Sequence, residues 1–331
     1  QEFQGNALMC EPVNNAVHRL MLSPKGSTFS GRRPADEQTS EFLASTDIWF
    51  RPVQARTGPD GALWIVDMYR YVIEHPRWIP PEDAAKLDLR AGSTMGRIYR
   101  VIPEHASSRG MSAAIPAGLN DLKLVAALDS PNGWQRDQAS QLILARRATF
   151  KHAALHKLLD HSRAETRVHA LCLLGELGRL CSADIEKGLR DPHPGVRRHA
   201  VRLAEEFLAD VPEVGAALAK FVEDADPQVR LQLACTLGQW RDPQAGKLLA
   251  DLALHPQSDR HLVAAVLSSV RMENLSAFMA RVANAKAPPA ELLPRLGAVI
   301  AAQAQPLQVT RFVGMLLPQN QQRPSAAQLS A

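Results

Sequence analysis

Five arginines place the tightest constraint on what this chain can fold into. Arg136, Arg167, Arg197, Arg230 and Arg260 follow one another at separations of 31, 30, 33 and 30 residues. Each stands in an apolar-periodic segment: Trp134–Arg146, Thr166–Gly178, Val196–Leu208, Val229–Trp240 and Arg260–Val270. A period of about 30 residues marks a helical solenoid. The segment openings repeat too. Asp191-Pro192-His193-Pro194-Gly195-Val196-Arg197 parallels Asp224-Ala225-Asp226-Pro227-Gln228-Val229-Arg230. Asp before a helix caps free amides and suits the helix dipole, and Pro is tolerated in the first turn. Behind the opening runs an apolar stripe, such as Val229, Leu231, Leu233, Ala234 and Leu237. One hairpin cannot bury that stripe alone, but stacked neighbours can.

The Asp-x-x-Pro-x-Val-Arg opening, followed by a helix rich in Ala and Leu, resembles HEAT-type repeats of bacterial proteins. The resemblance covers residues 120–305. It speaks for the fold and is nearly silent on function. Ala and Leu are also the strongest helix formers. Residues 306–331 are read as the end of the solenoid followed by a polar tail, Gln319-Asn320-Gln321-Gln322 and beyond.

Composition changes near residue 105. Residues 104–119, from Glu104 through Gly118, read as a linker. Residues 1–103 read as strands. Ala16–Leu22 alternates, and Trp49–Thr57 leads into the turn Gly58-Pro59-Asp60-Gly61. Pro59 presets its own backbone angle and Gly61 tolerates a positive one. Ala62–Asp67 and Gly96–Val101 follow as strands. Strand, turn, strand is how a propeller blade builds its inner hairpin. About 100 residues make only two blades, and a propeller needs at least four. The remainder is therefore expected upstream. The expected fold is a multidomain chain, all-β then all-α: the last blades of a partial β-propeller, then a HEAT-like α-solenoid.

Several function classes are disfavoured. Net charge is only +4, and the arginines are spread along the chain, so no nucleic-acid partner is expected. No run of 18 apolar residues is present, so no transmembrane segment is expected in this chain. The four cysteines, Cys10, Cys172, Cys181 and Cys235, show neither CxxC nor CxxCH spacing. Three lie in apolar helical runs and read as small buried hydrophobes. His152 and His156 are four apart, but no acidic residue in register completes a metal motif, so no metal site is expected.

The stretch from Thr46 to Arg70, with Trp49-Phe50-Arg51-Pro52, Gly58-Pro59-Asp60-Gly61 and Leu63-Trp64-Ile65-Val66-Asp67, resembles the planctomycete-type membrane-bound dehydrogenase-like propeller proteins. These are related to soluble quinoprotein glucose and sorbosone dehydrogenases. Glu11–Arg19 fits the preceding blade, and Gly92–Val101 fits a closing strand. Members often carry a propeller, then HEAT-like repeats, then a c-type cytochrome domain. The resemblance implies a periplasmic or extracytoplasmic enzyme that oxidises a sugar or alcohol. Its electrons would pass to a c-type cytochrome, with the repeats as scaffold. It implies PQQ and calcium as cofactors, and haem c only in a downstream domain. This chain would be the C-terminal part, lacking the early blades and inactive alone. The general-base His would lie outside it, and the catalytic residues are unknown.

By the same resemblance, Arg51 would meet the quinone's carboxylates, as a planar guanidinium can. Asn14 and Asn15 fall where relatives have a cofactor-contacting Lys, and Trp49 falls where they have an Arg. His18, Arg19, Arg56, Asp67, Tyr69, Arg70 and His75 are the candidate channel or substrate residues. The alternative is a non-catalytic ligand- or protein-binding scaffold.

Overall fold

β1 (Asn6–Glu11) and β2 (Ala16–Lys25) pair antiparallel, from Asn6 opposite Met21 to Glu11 opposite Ala16. They are seen in a computed structural model that describes residues 5–104, 118–285, 289, 292–303 and 306–316. The expected linker at 104–119 lies almost wholly outside the described residues, as does the tail from 317 onward. β3 (Thr28–Arg32) extends the sheet beyond β2, and the short β4 (Leu43–Ala44) pairs with the start of β2. A second antiparallel sheet has the order β5 (Pro52–Thr57), β6 (Leu63–Asp67), β7 (Arg97–Val101).

The β5–β6 turn is built as its residues dictate. Asp60 Oδ1 accepts from the Ala62 amide and the Trp64 indole, both at 3.0 Å. Gly61 has φ +80°, which Gly adopts without penalty. A Cβ on Gly58 would lie 2.2 Å from the Trp64 indole nitrogen, so that indole packs only on a glycine. Among the described residues, the two sheets have four and three strands and do not close into a ring. Antiparallel sheets stand where the last blades of a partial propeller were expected, and no closed propeller forms among the described residues.

By packing, the chain divides into two units. One comprises Gln1–Lys25 and Phe29–Lys151, the other Gly26–Thr28 and His152–Ala331. The first unit also holds α1 (Pro81–Ala84), α2 (Asp121–Ala127) and α3 (Gly133–Ala145). Asn132 caps α3, and its amide group reaches the carbonyls of Gly58 and Pro59 at 3.0 and 3.1 Å. The first helical hairpin is thus fastened to the β5–β6 turn.

The second unit is a stack of helices: α4 (Ala153–Leu158), α5 (Ala164–Glu176), α6 (Ser182–Leu189), α7 (Pro194–Leu203), α8 (Pro212–Leu218), α9 (Pro227–Leu237), α10 (Gln244–Leu254), α11 (Arg260–Ser269), α12 (Met272–Ala283), α13 (Leu292–Gln303) and α14 (Pro306–Leu316). Leu171, Leu174, Ile185, Leu218, Leu233 and Phe278 are fully buried between them. No helix among the described residues is long and apolar enough to cross a membrane.

The repeating arginines explain the stacking. Arg167 donates to the carbonyls of His161 and Ser162 in its own repeat, then clamps both oxygens of Asp191 in the next, at 2.6 and 2.7 Å. Arg197 does the same with the Asp191 and Pro192 carbonyls and the Asp224 carboxylate. Arg230 bonds the Asp224 carbonyl but meets Gln257 where an Asp would continue the pattern. Arg260 does not belong to this series. Arg136, Arg167, Arg197 and Arg230 stand four residues after the N-caps Asn132, Arg163, His193 and Asp226. Arg260 directly follows its N-cap, Asp259, and the equivalent position holds Val263. Spacing alone brought Arg260 into line; the cap sets the true register.

Candidate functional site

In the first unit, several of the singled-out residues converge on Arg51. Its guanidinium donates to the carbonyls of Pro12 (2.7 Å) and Val13 (3.3 Å) in the β1–β2 turn. It also donates to those of Arg70 (3.0 Å) and Tyr71 (3.3 Å) after β6. The Arg51 amide donates to Asp67 Oδ1 at 2.8 Å, as does the Tyr69 amide. Asp67 is buried, and its Oδ2 has no hydrogen-bond partner among the described residues. Asn15, at φ +55°, gives its side-chain amide to the Ile48 and Phe50 carbonyls. Asn14 is exposed on the turn. All three guanidinium nitrogens of Arg51 and the amide of Asn15 therefore hold backbone. As placed, these residues do not fit a quinone cofactor, whose carboxylates would need that guanidinium free.

Tyr69 sits at φ +47°. Its hydroxyl donates to Asp47 Oδ2 at 2.9 Å, and this bond to a carboxylate holds its pKa above the usual tyrosine value. The Arg97 guanidinium lies 3.6 Å from the Tyr69 ring centre, and Trp49 packs against both Tyr69 and Tyr71 at 5.7 Å. Arg70 reaches the Arg90 carbonyl at 2.9 Å. Beside this cluster a cleft of about 460 Å³ is lined by Arg51, Tyr71, Glu74, Trp78 and Leu87. Trp78 is 74% exposed, with the Arg77 guanidinium 5.3 Å from its ring.

The other singled-out residues stand elsewhere. His18 Nδ1 is 2.7 Å from Glu41, which also pairs with Arg33. These two hydrogen bonds hold the Glu41 pKa below the ordinary carboxylate value. Arg19 is buried against Asp36 and Glu37, at 3.1 and 2.8 Å. Arg56 is exposed on β5. His75 caps a short helical turn by accepting from the Arg77 amide. Sequence reasoning did not single out Tyr71, Glu74 and Trp78 as cleft walls. The aromatic density of 69–78 was the available signal.

In the second unit, α5, α7, α9 and α11 pack side by side. Their outward side chains include Val168 and Cys172 on α5, Arg198, His199 and Arg202 on α7, and Leu231, Gln232 and Cys235 on α9. The Cys172 thiol lies 3.6 Å from His199 Nδ1, and burial pushes that thiol's pKa up. His156 bonds Asp184 at 3.1 Å rather than standing free on a solvated face. Among the described residues, no group of three or more His, Cys, Asp or Glu is arranged to hold a metal ion.

Two family models match separate stretches of the chain. A family model described as a domain of unknown function, DUF7133, matches residues 1–105, and a model of HEAT repeats matches residues 182–268. No curated protein matches the chain. Similar solved structures include the crystal structure of an engineered protein, 16% identical, covering 60% of this chain and 95% of that one, with a TM-score of 0.30. A designed armadillo repeat protein is also 16% identical, covering 60% of this chain and 100% of that one, at 0.32. Another designed armadillo repeat protein, in complex with a (KR)4 peptide, is 16% identical over 59% of this chain and 97% of that one, at 0.32. The chain is an antiparallel-sheet region followed by HEAT-like helical repeats.

Proposed function

We propose that this protein is a non-catalytic binding scaffold whose helical repeats hold a segment of another protein. One observation carries the reading. Helices α5, α7, α9 and α11 lie side by side and expose an unbroken row of mixed polar and apolar side chains. Inter-repeat Arg–Asp clamps fix the spacing of that row. A rigid row needs little reordering on binding, which is how preorganised surfaces gain affinity. The test is a panel of labelled peptides of varied composition, followed by hydrogen exchange on the complex. Binding should slow exchange in α5, α7 and α9 more than in α6, α8 and α10. No binding by any peptide, or protection confined to α6, α8 and α10, would count against the scaffold.

A second reading is favoured by the cleft beside Arg51 with its exposed Trp78. In it, the sheet region belongs to a larger sugar or alcohol dehydrogenase of the extracytoplasmic space, passing electrons to a c-type cytochrome. Because Arg51 is engaged by backbone, this reading needs the quinone and calcium to be held by other residues. Dye reduction across a sugar and alcohol panel by the full-length protein, supplied with PQQ and calcium, supports it. An inert protein that nonetheless binds peptides removes it.

A further inference from the structure

The arginines of α7 fall into two groups. Arg197 points into the seam between repeats and is neutralised by Asp224. Arg198 and Arg202 point outward and are one helical turn apart, about 6 Å along the axis. Arg198 donates to the neutral Gln228 amide oxygen at 2.6 Å. Arg202 reaches the Cys172 sulfur, at 3.9 Å. Neither guanidinium is ion-paired with a carboxylate among the described residues. His199 lies between them on the same helix. Burial, and then the charges of Arg198, Arg202 and His169, hold its pKa below the ordinary histidine value. On one side α9 presents the uncharged Gln228, Leu231, Gln232 and Cys235, and on the other α5 brings His169 and Glu176. Acids stand close to these arginines. Glu176 ends α5, and Glu205 and Glu206 follow Arg202, with Glu205 accepting from the Thr236 hydroxyl at 2.7 Å.

We propose that this face of α7 docks an extended acidic peptide segment, with Asp or Glu at alternate positions seated on Arg198 and Arg202. Alternate side chains of an extended strand lie about 6.8 Å apart, close to the spacing of these two arginines. Each guanidinium can take a carboxylate through two parallel hydrogen bonds. A negative segment also offsets the positive charge that Arg198 and Arg202 carry on this face. The inference rests on the scaffold reading and names the chemistry of its partner.

The experiment uses the full chain and three fluorescein-labelled peptides of equal length: a Glu-Gly repeat, a Lys-Gly repeat and a Ser-Gly repeat. Polarisation is read at about 50 mM and about 500 mM salt. The Glu-Gly peptide is expected to bind most tightly and to weaken at high salt. R198Q/R202Q is expected to lose roughly ten-fold in affinity, while R190Q, at the C-terminal cap of α6 and paired with Glu186, leaves it unchanged. Thermal unfolding checks that both variants fold. Should R198Q/R202Q not fold, R198E, judged by the same peptide and salt series, takes its place. Acidic-peptide binding that is no tighter than that of the other two, or that ignores these substitutions, overturns the inference. If the Lys-Gly or Ser-Gly peptide binds on α5, α7 and α9 and the Glu-Gly peptide does not, the scaffold stands and the acidic partner falls. If none binds, both fall.

Discussion

Asp191 accepts both oxygens' worth of hydrogen bonds from Arg167 across a repeat seam and another from the His193 amide at 2.8 Å. Burial opposes its negative charge, but the bonds from Arg167 and His193 outweigh it and hold the pKa below the ordinary carboxylate value. Asp184 and Asp259 are shifted the same way, each against burial, by bonds from Cys181 and from Ser27 with their neighbours. A carboxylate depressed in the folded state adds stability above its unfolded pKa, about 4, and loses it as pH falls through the folded value. His199 is also depressed, which favours its neutral form in the folded state. Its contribution is complete above its unfolded pKa, about 6.5, and declines as pH falls below that. Urea midpoints should therefore drop in two stages on acidification, and His199→Gln should remove the first. The Arg167 and Asp191 side chains are only 11% and 8% exposed. Asp191→Ala strands a buried guanidinium and should cost roughly 3–5 kcal/mol, read from urea unfolding. The Asp and Arg of this clamp were legible as a repeat signal. Their pairing across the seam was not, because the partner lies 24 residues away and only stacking brings it near.

Element boundaries followed local chemistry closely where caps and turns are strong. β6 and β7 begin within one residue of the expected strands, because Gly58-Pro59-Asp60-Gly61 and Gly96 punctuate them. α9 starts at Pro227 behind its Asp226 cap. α11 misled, since Arg260 looked like a fifth repeat arginine and is the first residue after a cap. Packing between elements adds a constraint that propensity reverses. Ala usually stabilises a helix interior over Gly by about 1 kcal/mol. At Gly246 in α10, however, a Cβ would lie 2.1 Å from the Asn274 carbonyl and 3.0 Å from the Phe278 amide of α12. Gly246→Ala should therefore destabilise by about 1–3 kcal/mol, as overpacking does, and a melting curve gives the sign.

At the scale of the molecule, a solenoid draws stability from each repeat and from its contacts with the next. Leu233 is fully buried in the middle of the stack. Leu233→Ala should cost about 2–5 kcal/mol. Hydrogen exchange should rise across α7, α9 and α11 together, and a loss confined to α9 would show that the repeats unfold separately. Sequence by itself determined the two kinds of architecture, the hairpin turn and the helix openings, because these depend on residues close along the chain. Tertiary structure decided the rest. It set the Arg51 guanidinium and the Asn15 amide on backbone carbonyls, and fastened the first helical hairpin to a strand turn through Asn132. Among the described residues, it also left Arg198 and Arg202 without a carboxylate partner while pairing their neighbour Arg197. Whether a guanidinium is spent or available depends on which carbonyls and carboxylates folding brings within hydrogen-bond reach, and local sequence carries no record of that.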